Sequence, residues 1–409
     1  MSARRPPSTW TKREHPEHVL VVGASAAGLT TAEALRRKGF GGRLTLLGAE
    51  DAAPYDRPPL SKQVLSGAWE PTRAQLRTAD ALDALDAEFL LGDPAVALDA
   101  GRRSVRTASG AAVTADAVVV ATGLRPRELP GQDGLRGVHV VRTVADALAL
   151  RSDLLGAGRV VVVGDGVLGA ETAATARSMG PAVYLVGPQP APMTGQLGPL
   201  AAGHLADLHR RNGVALRTGV LLDALLSRDG AVTGVRLSDG EELPADVVVA
   251  AVGCSPATDW LADSGLVLDD GVVCDARCRA AEGVWAVGDV ARWHHRGLGR
   301  LLRLENRTNA TEQALAVAGD IMGEDRPYVP VPYFWTDQYD VKVQVFGLLS
   351  AESQAEVVEG DPAEGRFVVR HEGPRGPVGV LGWRMPKQTR LHRASIVDHY
   401  TRPLENATP

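Results

Sequence analysis

The sequence predicts an α/β fold: two similar βαβ modules, one nested inside the other, followed by a separate α+β domain. Three observations carry this reading. A strand, glycine turn and alanine-rich helix occur twice, each copy has a matching return strand, and aromatic residues gather beyond Arg326. The length of 409 residues is too great for one core. At roughly 100–200 residues per domain it suggests two to four domains.

The first copy is the run Val19-Leu20-Val21-Val22-Gly23-Ala24-Ser25-Ala26-Ala27-Gly28, then a helix through Leu35. The second is Val160-Val161-Val162-Val163-Gly164-Asp165-Gly166-Val167-Leu168-Gly169, then a helix through Ala176. Strands that are apolar at every position fit a parallel sheet covered on both faces. The return segments are Ala115-Asp116-Ala117-Val118-Val119-Val120-Ala121-Thr122-Gly123 and Ala245-Asp246-Val247-Val248-Val249-Ala250-Ala251-Val252-Gly253. Each is a buried strand that ends in glycine and a proline-stopped loop. A third landmark, Ala286-Val287-Gly288-Asp289, reads as a short strand ending at a loop. From these marks residues 18–125 and 246–325 form one discontinuous module, and 126–245 form a second inserted into it. Residues 1–17 are polar and proline-rich and read as a disordered tail. In 326–409, Val341, Val343 and Val345 alternate with polar residues, the pattern of a half-buried strand in an antiparallel sheet.

A glycine turn between a strand and a helix brings free backbone N–H groups and the positive end of the helix dipole to one point, where a pyrophosphate binds. In the Rossmann-like pattern the first glycine allows the turn, the second allows close approach of the phosphate, and the third lets helix and strand pack. Gly164, Gly166 and Gly169 fill all three places, while Gly23, Ser25 and Gly28 put a small serine in the middle one. A pair of such sites suits a chain that holds one nucleotide cofactor and exchanges another. The ribose is expected to meet an acid about 20 residues on, at the end of the second strand. Glu50 fits that role in the first module, somewhat offset. In the second, Gly187-Pro188-Gln189 offers neither an acid nor an arginine, so NADH and NADPH both stay open.

Composition narrows the classes. With 44% apolar and 23% charged residues the chain is ordinary for a globular protein. A net charge of −5 does not point to nucleic acid. Its three cysteines, Cys254, Cys274 and Cys278, contain no C-x-x-C pair, which argues against a redox-active disulfide; no metal site is expected. The longest apolar run, Val247 to Val252, falls far short of the about 18 residues that cross a bilayer, and no targeting segment is visible. A cytoplasmic protein with no membrane partner, monomer or homodimer, is the expectation.

From Val19 onward the chain resembles the FAD-dependent ferredoxin reductases of oxygenase systems, of the glutathione-reductase type. The most specific element is Pro54-Tyr55-Asp56-Arg57-Pro58-Pro59-Leu60-Ser61-Lys62. Val141-Arg142-Thr143-Val144-Ala145-Asp146 and Phe334-Trp335-Thr336-Asp337-Gln338-Tyr339-Asp340 support it. The resemblance implies that Gly23, Ser25, Ala27 and Gly28 cradle the FAD pyrophosphate and that Val96 meets the adenine. Arg57, Ala121, Thr122, Gly123, Arg142, Arg307 and Trp335 match FAD contacts, and Asp289 matches the ribityl ligand. Lys62 matches the lysine beside the flavin ring, with Glu171 holding it from the nicotinamide side. Gly164, Gly166, Leu168, Gly169, Glu171 and Gly253 fall to NAD(P)H. The implied activity is hydride transfer from NADH or NADPH to FAD, then single electrons to a 2Fe–2S ferredoxin feeding a cytochrome P450 or Rieske oxygenase. The basic stretch Arg384, Lys387, Arg390, His392 and Arg393 suits an acidic partner.

Four residues depart from the pattern. Arg307 stands where relatives often carry an apolar residue, Asp165 replaces a frequent glycine, and Gly187 and Ala49 replace ribose acids. They keep two alternatives in view: a flavoenzyme acting directly on a small molecule or on oxygen, and a flavin-bound interaction protein gated by its redox state.

Overall fold

The computed structural model describes residues 16–349 and 353–402; the tail expected over 1–17 lies, up to residue 15, outside them. Two parallel sheets dominate. In the first, the spatial order is Arg279–Ala281, Val284–Ala286, Ala117–Val120, His18–Val22, Arg43–Leu47 and Glu88–Leu90, parallel except for the first strand. In the second it is Val214–Thr218, Ala182–Gly187, Arg159–Val163, Val247–Ala250 and Val138–His139, all parallel. The leading strands sit mid-sheet in both copies. Val160, Val161 and Val162 are wholly buried, as are Val19, Leu20 and Val21. Burial of one such side chain contributes about 1.5–3 kcal/mol, so a polar substitution on either face is costly.

One boundary needs correction. The strand Val247–Ala250 pairs with Arg159–Val163, Val160 opposite Val247, and so belongs to the second sheet rather than to the first module. The reason is the duplication itself: Ala117–Val120 lies beside the leading strand of the first sheet, and its copy does the same in the second. The chain crosses between the modules on two short antiparallel strands, Leu124–Pro126 and Cys254–Pro256, with Arg125 opposite Ser255.

The turns repeat in equal detail. Gly23 and Gly164 have φ of 119° and 112°, a region that only glycine enters readily. A side chain on Gly28 would overlap the Gly23 carbonyl, and one on Gly169 would overlap that of Gly164. The helices that follow, Ala26–Arg37 and Val167–Ser178, are of equal length at 12 residues.

The last domain is an antiparallel sheet of five strands: Tyr333–Gln338, Val341–Gly347, Gly376–Trp383, Arg366–Gly373 and Gln354–Asp361. Val341, Val343 and Val345 point to one buried face, as the alternation predicts. That face shares a continuous apolar core with Leu197, Ala201 and Leu205 of the helix Thr194–Arg211. His209, on the same helix, is fully buried and lies 2.8 Å from Gln338. Burial lowers its pKa to about 4, and that of His371 likewise.

A histidine held neutral in the fold stabilises above its unfolded pKa and loses that contribution as pH falls toward the folded value. The loss here runs from about pH 6.5 down to about 4, and at pH 4.5 it is roughly 2.5 kcal/mol per histidine. Urea unfolding at pH 7 and pH 4.5 should therefore show a smaller drop for His209→Gln than for the parent chain, by about that amount. Equal drops would show that His209 does not stay neutral in the fold.

Candidate functional site

A cleft of about 1070 Å³ runs between the modules and beneath the third domain's first strand. Both glycine turns open onto it: Ser25 and Ala27 from one, Gly164, Gly166 and Leu168 from the other. Open space surrounds Gly166 on the side where a side chain would stand. Gly23, Gly28 and Gly169 lie behind the wall, where close packing rather than ligand contact demands glycine.

Ala121, Thr122, Gly123, Arg142 and Asp289 also line the cleft, with Ala121 and Thr122 packed beside Gly23 of the first turn. Arg142 owes its place to a capping box. Thr143 Oγ1 accepts from the Asp146 amide at 3.1 Å, and Asp146 Oδ2 accepts from the Thr143 and Arg142 amides at 2.8 and 3.0 Å. The Arg-Thr-x-x-Asp spacing is thus a helix start that aims an arginine into the cleft. Arg142 comes within 4.0 Å of Asp289. Burial raises the Asp289 pKa to about 6, against the pull of the Arg142 charge. The turn bearing Asp289 is fixed by Gln313, whose Oε1 accepts from the Gly288 amide at 2.7 Å.

The central feature is an ion pair. Lys62 Nζ lies 2.6 Å from Glu171 Oε2, with side chains 15% and 7% exposed. Ser61 Oγ donates to the same oxygen at 2.7 Å, and Thr336 Oγ1 donates to Oε1 at 2.8 Å. Behind Thr336 the bonds continue in one direction. Gln338 Nε2 donates to Thr336 Oγ1 at 3.1 Å, and His209 Nε2 donates to Gln338 Oε1 at 2.8 Å. Tyr339 then donates to His209 Nδ1 at 3.3 Å. This direction requires neutral His209, as its lowered pKa provides.

The other expected residues divide. Arg57 lines the cleft, donates to the Arg142 carbonyl, and bonds Glu50 Oε1 at 2.8 Å. Arg307 also lines the cleft, where its charge is met by Asp56 at 2.6 Å. Trp335 and Gly253 line the cleft too. Glu50 and Val96 do not: the Glu50 carboxylate is taken by Arg57 and Tyr55, and Val96 is a 39% exposed residue on the strand Ala95–Asp99. Sequence reasoning missed Ser61, Thr336, Gln338 and His209. Thr336 and Gln338 stand in a quoted motif, but only the pairing of the third sheet brings them to Glu171. The three cysteines are unpaired, and Cys278 Sγ accepts from Gln313 Nε2 at 3.2 Å. No cluster of His, Cys, Asp and Glu among the described residues is arranged to hold a metal.

Comparison with known proteins agrees with this arrangement. The family described as pyridine nucleotide-disulphide oxidoreductase matches residues 17–314. The chain belongs to the pyridine nucleotide-disulphide oxidoreductase family. A second family, described as reductase C-terminal, matches residues 333–405. The chain is 35% identical to rhodocoxin reductase of Rhodococcus erythropolis over 86% of its own length and 82% of the relative's. It is 34% identical to putidaredoxin reductase of Pseudomonas putida, over 86% and 85%. Two solved structures superpose with TM-scores of 0.89. One is the ferredoxin reductase for the CYP199A2 system of Rhodopseudomonas palustris, 33% identical over 92% and 93% of the two chains. The other is the covalent putidaredoxin reductase–putidaredoxin complex, 32% identical over 94% and 93%. The family name includes a disulphide; the three cysteines here are all free.

Replacing Thr336 by Val should leave Glu171 Oε1 without a donor and cost about 1–3 kcal/mol of stability. Thr336→Ser, which keeps the hydroxyl, should be nearly neutral. Urea unfolding of the pair checks this, and equal destabilisation by both would mean that packing of the threonine methyl, not the hydrogen bond, is what counts.

Proposed function

We propose that the chain is an NAD(P)H-dependent ferredoxin reductase that carries FAD in the first module, takes NADH or NADPH in the second, and passes electrons to a 2Fe–2S ferredoxin. The observation that carries this is the single cleft reached by both glycine turns, with a buried Lys62–Glu171 pair between them. Membership in the family and the likeness to two ferredoxin reductases of known structure support the same reading.

The residues fit a dinucleotide. Ser25, Ala26 and Ala27 bring the first turn to the cleft with small side chains, and the open space at Gly166 suits a phosphate at the second. FAD, when bound, supplies two-electron acceptance from the nicotinamide and one-electron delivery to the iron–sulfur partner. Ser25 and Ala27, at the start of the helix Ala26–Arg37, would hold its pyrophosphate. Arg57 and Arg142 would offset the phosphate charge. Asp289, costly to ionise where it is buried, would accept from a ribityl hydroxyl. Lys62 places a cation at the meeting of the two nucleotide sites, where it stabilises negative charge gained on reduction. Glu171 is a positioning residue: it holds the ammonium in place and neutralises it when the site is otherwise uncharged. Leu168 and Gly253 would form the nicotinamide side of the pocket.

Docking of the ferredoxin is assigned to the helix Pro386–His392 and the turn after it. Lys387, Arg390 and Arg393 are exposed there, whereas Arg384 is paired with Asp340 and His392 with Glu359. Arg393 packs over Phe346, which stacks on Tyr333, which in turn stacks on Trp335 at the cleft. The basic surface and the cleft are therefore joined through one aromatic ladder.

The test is direct. Purified protein should show a flavin absorbance spectrum, bleach on addition of a reduced nicotinamide nucleotide, and reduce a 2Fe–2S ferredoxin at a rate that falls with salt. The double reversal Arg390→Glu with Arg393→Glu should slow ferredoxin reduction by tenfold or more, on the order of the steering effect, and leave flavin reduction unchanged. A colourless protein that refuses FAD would end the proposal. An unchanged ferredoxin rate would end the docking assignment alone.

A further inference from the structure

We infer that Asp165 is the acid that reads the ribose of the nicotinamide nucleotide, in place of the one missing at Gly187, and that it selects NADH over NADPH. This rests on the functional reading above and deepens it.

The strand Ala182–Gly187 ends where an acid is expected to take the ribose hydroxyls, and Gly187 has no side chain to offer. The space is nonetheless filled. A Cβ built on Gly187 would overlap the carboxylate carbon of Asp165, and would stand only 2.5 Å from the Asp165 Cβ. Asp165 therefore occupies the volume into which a side chain at 187 would project. The two positions meet because the strands bearing them are neighbours, with Val163 opposite Val186. The first module shows the same adjacency, with Ala24 beside Gly48. There the acid stands later, at Glu50, which corresponds in register to Gln189. An acid at the strand end and a small residue in the turn have exchanged places.

The carboxylate is held in a defined place. Asp165 Oδ2 accepts from the Gln189 amide at 2.9 Å, and Oδ1 accepts from Gln189 Nε2 at 2.9 Å. Gln189 is fixed in turn, its Oε1 accepting from the Gly195 amide at 2.7 Å. The Asp165 carbonyl accepts from the Met193 amide at 2.8 Å. Each carboxylate oxygen keeps a further lone pair, and the residue lines the cleft although it is only 4% exposed. Two ribose hydroxyls can donate to such a group. A 2′-phosphate, with nearly two negative charges at pH 7, cannot.

Charge on the rest of this wall points the same way. Among the described residues of the second module that line the cleft, Glu128, Asp165 and Glu171 are negative, and the one cation, Arg142, faces Asp289 of the first module at 4.0 Å. The cation that comes nearest in register is Arg217, opposite Val186 on the next strand. Its guanidinium is bound to Glu241 through two bonds of 2.6 and 2.9 Å and lies over the Tyr184 ring. It is committed elsewhere and does not line the cleft.

The experiment uses the flavin-loaded protein and two readouts. One is the dissociation constants of NAD⁺ and NADP⁺ by calorimetry; the other is KM for NADH and NADPH. The parent chain should prefer the unphosphorylated nucleotide by about 100-fold, the scale of two hydrogen bonds to a charged group. Asp165→Asn and Asp165→Gly should each cut that ratio at least tenfold, mainly through weaker NAD⁺ binding. Gly187→Glu alone should lose affinity for both nucleotides, because its side chain meets Asp165. The double variant Asp165→Gly with Gly187→Glu should regain NAD⁺ preference. Equal affinity of the parent for both nucleotides, or a ratio unmoved by Asp165→Asn and Asp165→Gly, overturns the inference and leaves the reductase function standing. If neither nucleotide reduces the flavin, the function itself falls, and this inference with it.

Discussion

A carboxylate with 7% of its side chain exposed stays in the fold as an ion only if charge and hydrogen bonds replace the water it has lost. Glu171 meets that demand with three donors drawn from the two other parts of the chain. Lys62 and Ser61 come from the loop of the first module, the carboxylate itself rides on the helix Val167–Ser178 of the second, and Thr336 lies on the first strand of the third. Displacing any one of the three would leave a buried charge short of a partner. The relative placement of the parts, and hence the shape of the cleft, depends on this one group more than on any single apolar contact.

The apolar core alone would not set that placement so sharply. The interface between the third sheet and the helix Thr194–Arg211 is built of Val, Leu and Ala together with Phe367 and Trp383 against His204, and such packing tolerates small shifts. Hydrogen bonds at 2.8–3.3 Å tolerate them less. The line from Tyr339 through His209, Gln338 and Thr336 runs the length of that interface and gives it direction. It works only with His209 neutral, so the burial that lowers its pKa also orders the donors toward Glu171.

Much of this was legible in the sequence, for a physical reason. A strand buried on both faces must be apolar throughout, and a turn against a pyrophosphate must be glycine, so both modules and their cradles appear as local patterns in the chain. Lys62, Arg142 and Asp289 were found because motifs surround them, and the Arg142 motif proves to be a capping box that needs only four consecutive residues. The misplaced strand Val247–Ala250 has the opposite cause. Its sequence names it as a return strand, but which sheet it joins is decided by pairing across about 90 residues of chain, with no local signal. Thr336, Gln338 and His209 are polar residues whose partners lie far away in sequence, and nothing nearby marks them as buried.

Asp165 and Gly187 show why residue-by-residue matching to a pattern has a limit. Taken singly, each is a defect: an anion in a phosphate turn, and a glycine where an acid belongs. Two parallel strands separated by about 4.8 Å bring the turn after one to the end of the other, so a side chain rooted at either position reaches the same volume. What the ligand meets is a charge at a point, not a residue at a number. Two departures that each weaken the case for a nucleotide site when read along the chain become, across the sheet, a single shared volume with its carboxylate supplied from the turn after the neighbouring strand.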